Sequence, residues 1–363
     1  VAISTGRLTE RLLARGHWVT VLTTTPPDPN GHSEVRWTSG AGRFSLHYGL
    51  VEDPIHAPSA VTDLIGWGRI QHKQQPFDVI LAYFVYPGGY LATILGEQLH
   101  VPVVCSCRGN DISKDMFIAP STIATVLQHS ARLLFVSDSL LRMADTLVSC
   151  RAKATVVANA VDSLLFVPAT ISDPEGRRSL TLGTSGVMRW KKGIDLLLPL
   201  LHRLCASHAV RILIAGYALD ATIDQQIATF LDHYGLRQRV EITGPLPHRQ
   251  MVQALQRLDV YLNVSYQEGM PNGILEAMAC ALPVVATDAD GIPQLVADGV
   301  TGYVCRMGDV TALVSRCCSL LEQPALRQRM GRAGRQRVQQ HFHPDHEATA
   351  VEAILRQACG GKS

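Results

Sequence analysis

The 363-residue chain predicts an α/β protein of two doubly wound, Rossmann-like domains facing a central cleft. Three observations lead there. Short β-branched runs alternate with helix-like segments almost throughout, the pattern of a parallel sheet with helices on both faces. The alternation breaks once, at residues 168–178 (PATISDPEGRR), and then restarts. The length itself suits two globular domains. In open α/β sheets the ligand lies at the carboxyl ends of the strands, so two such units facing one another place the site between them.

In the N-terminal domain, 1–167, strands are expected at 18–23 (WVTVLT), 78–82 (DVILA), 101–105 (VPVVC), 132–136 (RLLFV) and 155–158 (TVVA). Helical patterns fill 9–15 and 88–99. After the linker at 168–178, the C-terminal domain, 179–342, repeats the scheme. Its strands are expected at 181–184, 210–215, 240–243, 260–264 and 283–286. Helices fit at 194–206, 221–234, 251–257, 273–280, 292–297, 309–321 and 324–342. A last helix at 346–357, within a tail of 343–363, follows the second sheet and is expected to pack back on the N-terminal domain.

Composition narrows the function classes. At 47% hydrophobic and 18% charged residues, the chain has material for a buried core and is neither disordered nor fibrous. A net charge of +2 offers no basic field for nucleic acid. The nine cysteines are odd in number, and the close pairs Cys105/Cys107 and Cys317/Cys318 lack C-x-x-C spacing. They read as incidental thiols of a reduced protein. No apolar run approaches the roughly 18 residues that span a bilayer, and residues 1–7 do not resemble a signal peptide. A cytoplasmic location is expected, with peripheral contact at the inner face of a membrane left open.

The most informative stretch is 268–279, EGMPNGILEAMA. Met270, Pro271, Asn272 and Gly273 make a tight turn, and a helix starts behind it. A helix opening on small residues presents unpaired N–H groups and a positive dipole end, which suits phosphate. Glu268 sits in the loop and Glu276 about one turn into the helix. Carboxylates are poor phosphate ligands but good acceptors for hydroxyls, as a sugar nucleotide requires. An ordinary helix with a solvated Glu276 is the plain alternative. A second stretch, 186–193 (GVMRWKKG), runs from a strand into a helix and sets the Lys192 ammonium at the helix's first turn, where a diphosphate could lie.

These segments resemble the retaining glycosyltransferases of the GT-B fold, glycosyltransferase family 4. The loop and helix match the family's E-x7-E pattern, Pro283 to Thr287 continues it, and Asp298-Gly299-Val300-Thr301-Gly302 resembles a family turn. Gly16-His17 with Val19-Thr20-Val21, Ser137, Asn159-Ala160-Val161-Asp162 with Phe166, and Gly244 fall in family order. The resemblance implies Glu268 on the sugar hydroxyls, Glu276 on the ribose, and Lys192 on the donor phosphate. It places Gly186, Asn272, Gly273 and Ile274 around the donor and Gly244 beside the base. The family's arginine after the first glycine is Val187 here, leaving Arg189 or Lys191 to supply the charge. In Arg108-Gly109-Asn110-Asp111, arginine replaces the family's histidine; a permanent cation can hold phosphate but cannot act as a base. A plain Arg108–Asp111 pair is the alternative.

The implied activity is transfer of a sugar from a UDP- or GDP-sugar to a hydroxyl of a glycan or lipid-linked acceptor, with no cofactor and no metal. A non-catalytic sugar-nucleotide binder and an epimerase or hydrolase of the same fold are the rivals. Asp288-Ala289-Asp290 is a D-x-D that would hold a metal in another transferase fold, but it follows a C-terminal-domain strand. Ala215-Gly216-Tyr217-Ala218 reads as a remnant of a glycine turn, too little for dinucleotide binding. His208, His233, His248 and His341 show no ligand spacing. Relatives begin with a strand and glycine loop before the segment at 15–17. The resemblance therefore implies roughly 15–25 further residues ahead of Val1, a strand of ~5–6 residues plus its loop.

Overall fold

A computed structural model describes residues 2–23, 38–39, 42–48, 58–169 and 179–360. The chain forms two compact units, Val1–Asn159 with Pro344–Ser363, and Ala160–His343. The linker expected at 168–178 lies almost wholly outside the described residues.

The first unit runs α1 (Ala2–Ala14), β1 (Val19–Thr23), β2 (Thr38–Ser39), β3 (Gly42–Tyr48), α2 (Pro58–Gln74), β4 (Ile80–Tyr83) and α3 (Tyr90–Leu99). It continues with β5 (Val103–Cys107), α4 (Asn110–Ser113), α5 (Asp115–Ile118), α6 (Pro120–His129), β6 (Arg132–Phe135), α7 (Asp138–Leu147) and β7 (Ala154–Val156). Strands β4-β5-β6-β7 form a parallel sheet in that order. All five residues of β5 are buried, as a strand covered on both faces requires. Ser137 follows β6 and caps α7, its hydroxyl accepting the Leu140 N–H at 3.4 Å.

The strands of this half were expected in one sheet; among the described residues they fall into two. β1 pairs parallel with β3, which pairs antiparallel with β2. No ladder joins β1 to β4; Val19 and Leu81 meet instead through a shared apolar cluster with Leu8, Leu12 and Val351. The helix expected at 9–15 begins at Ala2, because Ser4, Leu8 and Leu12 bury one stripe and extend the amphipathic pattern through Gly6.

The second unit comprises β8 (Thr181–Met188), α8 (Ile194–Ser207), β9 (Arg211–Ala218), α9 (Ala221–His233), β10 (Val240–Ile242), α10 (His248–Gln256) and β11 (Val260–Asn263). Then come α11 (Asn272–Ala279), β12 (Val284–Thr287), α12 (Ile292–Leu295), β13 (Gly302–Cys305), α13 (Val310–Glu322) and α14 (Pro324–His341). Its six strands are all parallel, ordered β10-β9-β8-β11-β12-β13. Strand order grows outward from β8 to one edge and from β11 to the other. The carboxyl ends of β8 and β11 therefore flank the point where successive crossovers diverge, which is where such sheets bind ligands.

Residues 160–167, grouped by sequence with the first half, belong to the second unit. Val161 donates its N–H to the Phe342 carbonyl, and Arg335 donates to the carbonyls of Ser163 and Phe166. After α14, α15 (Pro344–Ala358) belongs to the first unit and lies on α1. Ala348, Val351 and Ile354 cover Leu8 and Leu12, and Arg7 pairs with the buried Glu347 at 2.8 Å.

Candidate functional site

Two loops meet at the divergence point of the second unit. One follows β8: Arg189 in extended backbone, a single turn over Trp190–Lys192, then Gly193 at φ 68° opening α8. The other follows β11 and leads into α11. They are stitched by the Lys191 carbonyl, which accepts the Tyr266 N–H at 2.8 Å. A Cβ on Gly193 would stand 2.0 Å from the Val264 carbonyl oxygen, so glycine is required by both conformation and space.

This stitching brings Lys192 and Glu268 into a direct ion pair. Glu268 is only 7% exposed. The same carboxylate oxygen that meets Lys192 accepts the Ser265 hydroxyl at 3.0 Å. The Glu268 N–H is held by Asp290 at 2.8 Å. Sequence reasoning assigned Lys192 to phosphate and Glu268 to sugar as separate contacts; the fold makes them neighbours. Burial lowers the Lys191 pKa against the opposing pull of Glu268. The Arg189 Nε is buried and makes no hydrogen bond, an orphan donor in a cationic loop.

Helix α11 begins at Asn272 with Pro271 before it and no side-chain cap. Gly273 is forced by packing: a Cβ there would come within 2.3 Å of the Tyr261 hydroxyl and 2.8 Å of the Ser185 hydroxyl. Those two hydroxyls bond each other at 2.8 Å in the sheet. Ile274 contributes no side chain to the site, since it is fully buried, and its N–H already bonds the Pro271 carbonyl at 3.2 Å. Glu276 lies one turn on. His248, passed over in the sequence, stands at the start of α10 with Nε2 at 3.8 Å from Glu276 and its ring edge-on to Phe166. No residue spacing signals that meeting, because β11 and the loop after it separate α10 from α11 in sequence and the two helices meet only in the fold.

Gly186, among the last residues of β8, and Gly244, two residues after β10, both have positive φ, 109° and 75°. Gly216 lies opposite Gly186 in register within β9, so the stretch at 215–218 is strand and not a glycine turn. A Cβ on Gly216 would fall 1.9 Å from the Gly186 carbonyl oxygen. The D-x-D carboxylates diverge in partner: Asp288 accepts the Met307 N–H and Asp290 the Glu268 N–H, each at 2.8 Å. Burial pushes the Asp290 carboxyl above its usual range.

Arg108 sits in the first unit, after β5. Asp111 does not pair with its guanidinium. Fully buried, Asp111 instead accepts backbone N–H groups of Val85 and Arg108, both at 3.1 Å, and of Gly109 at 2.7 Å. The guanidinium is left to reach Asn159 at 2.6 Å and to lie over the Tyr83 ring, 5.0 Å from its centre. Burial drives the Tyr83 hydroxyl up to about 12, with Arg108 opposing.

Comparison with known proteins identifies the family. The family model described as "Glycosyl transferases group 1" matches residues 174–337, and a "Glycosyl transferase 4-like domain" matches 1–160. The chain belongs to the group 1 glycosyl transferases. Within that family it resembles the glycogen synthase of Mycobacterium tuberculosis, 29% identical over 62% of this chain and 58% of the relative. It also resembles N-acetyl-alpha-D-glucosaminyl L-malate synthase of Bacillus anthracis, 23% identical over 80% of this chain and 78% of the relative. The chain thus spans less than two thirds of the mycobacterial relative's length. Among solved structures, sucrose-phosphate synthase of Thermosynechococcus elongatus superposes with a TM-score of 0.83 at 19% identity, over 99% of this chain and 94% of the other. Anabaena HepE, solved with UDP and glucose, gives 0.79 at 15% identity, over 98% and 95%. The fold of this group 1 glycosyl transferase is therefore GT-B.

Proposed function

We propose that this chain transfers a sugar from a nucleotide diphosphate donor to a hydroxyl of a glycan or lipid-linked acceptor, with retention at the anomeric carbon and without a metal. The observation that carries the reading is the cationic loop at 189–192 stitched to the α11 segment, with Glu268 on Lys192 and the Arg189 Nε lacking a partner. A buried orphan donor costs roughly 1–3 kcal/mol, which a bound diphosphate would relieve. The Lys192 ammonium has three donors, so it serves Glu268 and a phosphate oxygen together.

The chemistry follows from charge. As the bond from the anomeric carbon to the phosphate oxygen breaks, negative charge grows on the diphosphate. Arg189, Lys192 and the amides of Asn272 and Gly273 stabilise it. Glu268 accepts sugar hydroxyls and orients the ring; Glu276 accepts from the ribose. No carboxylate is assigned as nucleophile, so the acceptor oxygen attacks on the leaving-group side and its proton passes to the departing diphosphate. Asp288 and Asp290 accept N–H groups from different segments, Met307 and Glu268, and the reading gives the phosphate to the chain's own cations.

The test is nucleotide release from a panel of UDP- and GDP-sugars without added divalent ions, with the product anomer read by NMR. UDP-glucose comes first, because HepE was also solved with it. Binding of no member of the panel rejects the reading, and an inverted product rejects retention.

A further inference from the structure

Away from the donor loops, the second unit gathers three metal-ligating side chains that the proposed transfer does not use. His208, Cys318 and Glu322 offer ligand atoms that all lie within 4.8 Å of one another. His208 directly follows the last turn of α8. Cys318 and Glu322 are four residues apart near the end of α13, so both project from one helical face. The His208 Nε2 stands 3.2 Å from the Glu322 carboxylate, and the Cys318 Sγ stands 4.0 Å from Nδ1. Bond lengths of about 2.0–2.3 Å to nitrogen, oxygen and sulfur put neighbouring ligands of a tetrahedral ion about 3.3–3.6 Å apart. A single ion takes one ring nitrogen: Nε2 and the Glu322 oxygen already stand at ligand spacing, and the three ligand atoms, all within 4.8 Å of one another, need a side-chain rotation to bring the Cys318 sulfur in.

We propose that His208, Cys318 and Glu322 form a binding site for a divalent cation of the zinc class, with one position open to water. One sulfur, one nitrogen and one carboxylate oxygen select zinc or cobalt over magnesium and calcium, which take oxygen sets. The position favours a cation on a second count. The helices α8 and α13 both end here, and their C-terminal carbonyls carry partial negative charge. Arg239 already donates to the Cys205 and His208 carbonyls, and Arg327 to those of Leu320 and Leu321. Those donors serve the backbone; the His208 Nδ1 meets the Ser207 hydroxyl at 2.8 Å, which orients the ring, and a cation would take the place of the Nε2–Glu322 contact.

Binding releases the thiol proton of Cys318 to solvent as the sulfur–metal bond forms. Without a cation that thiolate would face the Glu322 carboxylate; with one, both charges are neutralised together. The bound ion would tie the ends of α8 and α13, two helices that already share the core through Leu204 and Cys317.

The experiment is cobalt titration of the whole chain after chelator treatment, followed by absorption. One equivalent should bring visible d–d bands and an ultraviolet sulfur-to-cobalt band. Cys318→Ser should lose the ultraviolet band. His208→Ala should weaken cobalt by more than the roughly 10–100-fold typical of an outer-shell partner. Circular dichroism confirms that each variant folds. Absence of both bands in the unaltered chain overturns the proposal. Survival of the sulfur band in Cys318→Ser also overturns it, since another of the nine cysteines must then be the ligand.

Discussion

At the scale of single residues, Lys192 and Glu268 form one device, and their variants should fail differently. Glu268→Ala removes the sugar's acceptor but leaves the cations, so turnover should fall roughly a hundredfold, the scale of a misplaced reacting group. UDP affinity, measured by calorimetry, should hold. Lys192→Ala removes a charge-assisted phosphate contact worth roughly 1.5–3 kcal/mol. It also strands a buried carboxylate. It should therefore weaken UDP about tenfold or more while scarcely changing uridine, and lower turnover as well. Equal UDP affinity in both proteins would remove Lys192 from the site. His248 adds a third case. Its ring is part-buried beside Glu276, and a solvent-reachable pair of this kind is worth up to about 1 kcal/mol. His248→Ala should weaken UDP roughly two- to fivefold, with no change for an analogue lacking the ribose hydroxyls. The Glu268–Glu276 spacing and the lysine–glycine turn were readable in the sequence because they are local. The His248 contact and the orphan Arg189 Nε were not, because each depends on how separate strands align their ends.

At the scale of elements, apolar runs bounded by turn residues marked most strands of the second unit correctly, since a parallel strand buried on both faces is nearly continuous in hydrophobicity. The exception is β13. Gly302 opens it at φ 159°, and a Cβ there would meet the Val284 carbonyl at 2.1 Å, so its four residues read as the tail of a turn. Helix α14 stands where the sequence placed it, at Pro324–His341, but its packing was not legible. Its sequence is rich in arginine and looks solvated, yet Gly331 lets it close on the Ala281 carbonyl and Arg335 caps the α11 carbonyl of Ala279. The docking of α15 on α1 rests visibly on charge. Glu352 accepts from Arg15 at 2.7 Å and meets His17 at 3.0 Å, and these bonds lower its carboxyl to about 2. A depressed folded-state pKa gives stability that is present above the unfolded value, near 4.5, and is lost as pH falls toward 2. With solvent reaching the group, the contribution is about 1 kcal/mol. Urea unfolding at pH 6 and pH 3 should show the unaltered chain losing more stability than Glu352→Gln. Equal losses would mean that the Glu352 contacts do not hold α15.

At the scale of the molecule, the duplicated α/β plan was legible from alternation alone, but the boundary was not. Asn159 ends one unit and Ala160 begins the other in the middle of a continuous motif, and only the anchoring of residues 161–166 by Phe342 and Arg335 decides the matter. That division gives the donor-site reading a global test. Most donor contacts proposed for the second unit lie on two loops, 186–193 and 264–276, with Gly244 and His248 on a third segment, whereas Arg108 belongs to the first unit. A ligand at a hundred times its Kd adds about 2.7 kcal/mol to whatever unit binds it. Amide exchange with saturating UDP should therefore slow first in those two loops and in the core strands β8 and β11, which open only when the second unit does. Protection at 108–111 is a separate readout and measures what Arg108 adds. In Lys192→Ala the slowing at 189–193 should shrink while that at 244–248 persists, because base and ribose contacts survive. UDP protection confined to the first unit would place the donor elsewhere and reject the switch-point site as a whole.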